Sequence, residues 1–139
     1  MGQTTIFFFA AIIIVGGLLY AVIELTKHTA KPLDVDHYRS KWLDIEQQLK
    51  RDQPSSYHLA VLNADKLLDH ALRDRRQKGE TMGERMKNAA SQFSNRNNVW
   101  SAHKLRNQIA HDTDVNVSYD AARRALAGFK QALKDVGAI

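Results

Sequence analysis

The chain has 139 residues, no cysteine, and 20 Lys/Arg against 15 Asp/Glu. That length holds one domain and little more, and the missing cysteine excludes thiol catalysis, zinc fingers and iron–sulfur ligation. A basic balance beside an apolar segment points to two partner classes, nucleic acid and anionic lipid headgroups.

The first element is "IFFFAAIIIVGGLLYAVI", Ile6 to Ile23, a run without a charge. It sits at the lower end of what spans a bilayer, about 18 residues, and lacks the polar face of a buried core helix. A cleaved signal peptide needs a basic leading region and a small-x-small cleavage site. No Lys or Arg precedes Ile6, and His28 stands where a small residue belongs. Residues 1–26 therefore read as a retained transmembrane anchor, with the span at about 6–25. Lys27, Lys31, Arg39 and Lys41 follow the span and no basic side chain precedes it. The positive-inside rule then places the N-terminus outside and the C-terminal domain in the cytoplasm.

Residues 27–35 read as a linker: Pro32 breaks the anchor helix, and Asp34 or Asp36 can cap the next one. From 36 to 139 the pattern is helical. Tyr38, Trp42, Ile45 and Leu49 predict a first amphipathic helix over Asp36 to Arg51. Pro54, with Ser55 or Ser56 as cap, opens a second that carries Tyr57, Val61, Ala64, Leu68 and Ala71 to about Arg76. Thr81 and Glu84 form a capping-box pattern ahead of Met82, Met86, Ala89 and Phe93. "SNRNN" breaks the chain before a helix from Val99 to His111, and "DTDVNVS" turns it into a last helix with Tyr119, Ala122, Leu126, Phe129, Leu133 and Val136 on one seam. Only "DVNVSY" has any strand character. The fold class is all-α: one N-terminal transmembrane helix followed by an up-and-down bundle of four or five helices.

The segment "AHKLRNQIAHD", Ala102 to Asp112, carries the candidate chemistry. At about 100 degrees per residue, Ala102, Leu105 and Ile109 face the core, while Trp100, Lys104, Asn107 and His111 share the other side. Arg106 lies between the two. A guanidinium can pair bidentately with a phosphate and hold the charge of a transition state, and an imidazole can take or give the proton. With Asn107 to orient either group, Arg106, Asn107 and His111 suit phosphoryl transfer from the 2′-hydroxyl of RNA. That scheme needs no cofactor and no metal, and "HD" with Asp114 lacks the dispersed ligands of a metal phosphohydrolase. Trp100, Lys104, Arg123 and Arg124 are the candidate substrate-binding residues. His58, His70 and His103 read as surface histidines, and "RDRRQK", Arg73 to Lys78, as a solvated helix end.

An Arg followed by His after four to six residues occurs at Arg51/His58, Arg96/His103 and Arg106/His111. Asn107 beside the arginine, the place before the last helix and the outward stripe single out Arg106. On these residues "LRNQIAHD" resembles the Arg-x(4–6)-His motif of HEPN domains. "AVLNADKLLDHAL", a glycine-containing break and "SYDAARRAL" stand in the order expected of HEPN-like bacterial proteins. The resemblance covers the part after the anchor. It implies an up-and-down helical bundle, often dimeric, with paired motifs lining a cleft. It further implies metal-independent endoribonuclease activity in toxin, phage-defence or RNA-processing systems, with Arg106, Asn107 and His111 as site residues. Other HEPN members are non-catalytic binding or structural domains, and the anchor departs from the usual soluble toxin. Two readings follow. One is an anchored ribonuclease working as a homodimer. The other is an anchored interaction domain in which Arg106 makes a structural ion pair with Asp112 or Asp114. A weaker third has the basic domain lying on anionic lipid.

Overall fold

A computed structural model describes residues 2–26 and 32–139. The chain divides into two compact units, Met1–Lys31 and Pro32–Ile139. The described residues of the first form a single helix, α1 (Gly2–Thr26), 25 residues long with none of them buried. At 1.5 Å per residue it measures about 37 Å, more than the roughly 30 Å of a bilayer's hydrocarbon core. It is long and apolar enough to cross a membrane. Lys27, Lys31 and most of the predicted linker lie outside the described residues.

The second unit is entirely helical among the described residues: α2 (Val35–Gln48), α3 (Pro54–Asp74), α4 (Met82–Asn88), α5 (Arg96–His111) and α6 (Tyr119–Asp135). Asp34 caps α2 by accepting from the His37 amide at 3.1 Å, and Tyr38, Trp42 and Ile45 bury its inner face. The helix stops short of Arg51, because Leu49 is extended and Asp52 turns the chain with φ of 68°. Neither Ser55 nor Ser56 caps α3. Its N-cap is Gln53, with Pro54 in the first turn, where a missing amide hydrogen costs nothing. The Ser56 hydroxyl instead donates to the Gln53 carbonyl at 2.7 Å and accepts from the Lys50 amide at 3.0 Å, tying the turn together.

The capping box of α4 forms: Thr81 Oγ1 accepts from the Glu84 amide, and the Glu84 carboxylate reaches back to the Thr81 amide. The helix nonetheless ends at Asn88. A 3₁₀ turn, Ala90–Gln92, carries the chain to Phe93, which is still buried. α5 begins earlier than Val99 because Asn95 accepts from the Asn98 amide at 3.1 Å, making part of "SNRNN" a cap and a first turn. Ser118 caps α6 in the same way, and "DVNVSY" forms no strand: Val117 enters the core as part of a loop.

Contacts at the helix ends fix the directions. Tyr38, early in α2, donates to Asp74 at the end of α3. The Tyr57 and Tyr119 rings, at the starts of α3 and α6, meet edge to face. Ser94, just before α5, donates from its amide to Asp135 at the end of α6. Helices α2, α3, α5 and α6 thus run up and down in turn, with α4 a short insertion beside α3. α3 is the central element, packed on α2, α5 and α6. Phe129, Leu68, Leu72, Met86 and Leu133 fill the interior. Burial, aided by the hydrogen bond to the Asp74 carboxylate, pushes the Tyr38 phenol well above the ordinary tyrosine range.

Candidate functional site

α3 carries a carboxylate on its buried face. Asp65 is 3% exposed, between Ala64 and Leu67 in an otherwise apolar row. A buried charge is tolerated only when it is paired and hydrogen-bonded. α5 supplies both partners. His103 Nδ1 lies 2.7 Å from Asp65 Oδ1. Arg106 Nε lies 3.3 Å from Asp65 Oδ2. Because a carboxylate only accepts, the imidazole must carry its hydrogen on Nδ1. One turn further on, Asn107 closes the cluster: its Oδ1 accepts from Arg106 Nη1 at 2.9 Å, and its Nδ2 faces His103 Nε2 at 3.4 Å. The spacing is what permits this: positions 103, 106 and 107 are one helical turn apart and share a side of α5.

A second ion pair stands beside the first. Arg85 of α4, itself buried, donates from Nε to Asp69 Oδ1 at 2.7 Å and from Nη1 to the Gly79 carbonyl at 2.8 Å. Asp69 Oδ2 also meets Arg73 Nη2 at 3.0 Å. Between the two pairs, bounded by α3, α4 and α5, runs an open groove of about 410 Å³ lined by Asp65, Lys66, Asp69, Arg73, Met82 and Arg106. Arg106 is 36% exposed at the groove, whereas the carboxylate holding it is almost wholly covered.

The structure brings Arg106 and Asn107 together and leaves His111 apart. His111 is the last residue of α5 and exposed, and its side chain makes no hydrogen bond or ion pair among the described residues. It lies five positions from Arg106, about 7.5 Å along the axis and about 140° around it. Trp100 is half-buried, its ring edge-on to His103 with centroids 6.0 Å apart, so it is no open stacking platform. Lys104 is exposed. Arg123 and Arg124 lie on α6 away from this groove. Arg123 sits 5.9 Å from the Tyr119 ring centroid, which Arg51 approaches to 4.5 Å. Arg124 borders a different cleft with Asn98, Ser101 and Leu105.

Two readings from the sequence need correction. His103 is not a surface histidine: it is 6% exposed and bonded to Asp65. The arginine's carboxylate partner is Asp65, 41 positions upstream, rather than Asp112 or Asp114. Sequence reasoning missed Asp65 although a signal existed. Val61, Ala64, Leu68 and Ala71 form a core row, and Asp65 falls inside it, where a lone carboxylate demands a cation from another helix. The arginine of Arg85, buried at a core position of α4, is a similar signal.

No family model matches the chain, and neither a curated protein nor a solved structure matches it. Among the described residues no three His, Asp or Glu side chains converge as metal ligands would.

Proposed function

We propose that the chain is a membrane-anchored HEPN-like domain, N-terminus outside and helical unit in the cytoplasm, that acts on RNA as a metal-independent endoribonuclease. The observation that carries this reading is the state of Arg106. Its guanidinium is held from behind by a buried carboxylate and from the side by Asn107, while its remaining edge opens on a groove. A cation fixed in advance and partly exposed is what a phosphate clamp requires, because little orientation is left to lose on binding.

In the reaction the 2′-hydroxyl oxygen of one nucleotide attacks the adjacent phosphorus as its proton passes to the His111 imidazole. The bond to the 5′-oxygen breaks, leaving a 2′,3′-cyclic phosphate, and the departing oxygen takes a proton from water. Arg106 balances the charge on the non-bridging oxygens. Since Arg106 and His111 of one chain point apart, the clamp of one copy and the imidazole of a second would meet across a homodimer.

One observation favours a second reading. Arg106 and Asn107 already satisfy each other and Asp65, so the cluster is complete as an internal brace of α3 and α5. A non-catalytic anchored interaction domain needs nothing more. The test is cleavage of mixed RNA by the full-length chain in detergent with EDTA present, against His111→Ala and Arg106→Ala. Cleavage that both substitutions abolish, with the helical circular-dichroism signal intact, supports the ribonuclease. Absence of cleavage by the wild-type chain moves the reading to the interaction domain.

A further inference from the structure

The cluster around Arg106 has only one consistent set of hydrogens. Arginine has donors and no acceptor, so the Asn107 atom that meets Arg106 Nη1 must be the oxygen. Its amide nitrogen therefore points at His103 Nε2, 3.4 Å away. That nitrogen can face an N–H only as a bare acceptor. With Nδ1–H committed to Asp65, His103 in this arrangement is the neutral Nδ1–H tautomer.

Adding a proton from solvent to Nε2 makes the arrangement impossible, because two donors would then face each other. The Asn107 amide must turn over by about 180°, a two-fold torsion with an equivalent well. Its oxygen then accepts from Nε2–H and its NH₂ comes round to the Arg106 side. Arg106 Nη1 loses its acceptor. It and the Asn107 NH₂ become adjacent unfilled donors beside the groove, which is a site for an anionic oxygen. We propose that His103 is a positioning residue for an anion site on Arg106 and Asn107: its protonation turns the Asn107 amide and frees both donors for a phosphodiester, so that proton and anion bind together. This rests on the reading of Arg106 as a phosphate clamp and adds how that clamp is opened.

The surroundings of the ring agree. From α3 it faces Asp65, whose carboxylate takes the Nδ1 hydrogen. On its own helix it faces Asn107 and the edge of Trp100. α6 makes no hydrogen bond or ion pair to it among the described residues. Across the groove, Asp69 is occupied by Arg85 and Arg73. Lys66 and His70, exposed on the groove rim, are the remaining titratable groups near the anion's path. With neutral His103 the Asp65–Arg106 pair carries no net charge. With the imidazolium the cluster is cationic, which favours the same anion.

The test is nuclear magnetic resonance on the full-length, ¹⁵N-labelled chain in zwitterionic micelles, titrated with the dinucleotide thymidylyl-(3′,5′)-thymidine. Its diester does not titrate in this range, and it lacks the 2′-hydroxyl through which it could be cleaved. We expect about tenfold tighter binding at about pH 5.5 than at about pH 8, the change that one unit of linked protonation produces. The His103 ring nitrogens should show the Nδ1–H tautomer at high pH, and protonation at higher pH with the dinucleotide than without it. In His103→Gln the pH dependence should vanish while binding persists. Equal affinity at both pH values, an Nε2–H tautomer, or a dependence that survives in His103→Gln would each overturn the coupling and leave the clamp standing. Failure of the dinucleotide to bind at any pH removes the clamp and the coupling together.

Discussion

Asp65 is the residue on which the polar cluster depends, since it alone joins α3 to both His103 and Arg106. Asp65→Ala leaves a buried imidazole donor and a half-buried guanidinium without their acceptor, at a cost of about 2–4 kcal/mol. Asp65→Asn keeps one acceptor oxygen but sets an NH₂ against the other donor, so it should cost less than the alanine change without being neutral. Urea unfolding followed by circular dichroism measures both, and a loss under about 0.5 kcal/mol in the alanine variant would mean the pair contributes little in solution. Arg106 and Asn107 could be singled out in the sequence because they stand side by side just before the last helix, whereas the Arg-to-His spacing alone recurs three times. His103 could not be, although it is one turn from both. An isolated histidine on a helix is most often exposed, and only the partner on another helix shows otherwise.

At the scale of helices, α6 comes close to the α5 backbone at Gly128. A Cβ on Gly128 would lie 2.9 Å from the Asn98 carbonyl oxygen, with backbone rather than a movable side chain in the way. Gly128→Ala should therefore destabilise the unit by about 1–3 kcal/mol through overpacking, against the helix-propensity gain that alanine normally brings. Thermal unfolding would show it as a lower melting temperature, and an unchanged or higher one would mean that the crossing relaxes freely. The same helix pair is tied at its end by Asp135, which accepts from the Ser94 amide at 2.8 Å and its hydroxyl at 2.9 Å. Burial works to raise this carboxyl, but the bonds from Ser94 and Gln131 prevail and hold it below the ordinary aspartate range. A depressed folded-state value means that this stability is present above the unfolded aspartate value and lost as pH falls through the folded one. Asp135→Asn should thus cost a few tenths of a kcal/mol to about 1 kcal/mol at neutral pH, and the deficit should shrink below about pH 4. Denaturant midpoints of both chains at the two pH values check it. The seams that the 3.6-residue period marked lie on the buried faces of α2, α3 and α6, which are apolar along their length except at Asp65 of α3. Helix ends were read less well: caps such as Asn95 depend on side-chain geometry that a run of polar residues does not reveal.

For the molecule as a whole, the deciding question is where α1 resides and on which side the helical unit lies. A helix of this length and composition near an N-terminus fits a retained anchor and a signal sequence alike, and the two differ in product. An anchor leaves an intact 15.7 kDa chain in the membrane fraction after alkaline carbonate washing. A signal sequence leaves a shorter, soluble one. The proposed anchor predicts the first outcome by mass spectrometry, and loss of the leading segment would overturn it. The lack of cysteine makes the orientation equally measurable, because any cysteine introduced is the only thiol present. Gln47 is exposed on α2 and its side chain makes no hydrogen bond among the described residues, so Gln47→Cys should leave the fold unchanged. With the helical unit in the cytoplasm, a membrane-impermeant maleimide should label this thiol only after cells are opened. Labelling of intact cells would place the unit outside, away from cytoplasmic RNA, and the ribonuclease reading would fall with the orientation, whatever the groove beside Arg106 can bind.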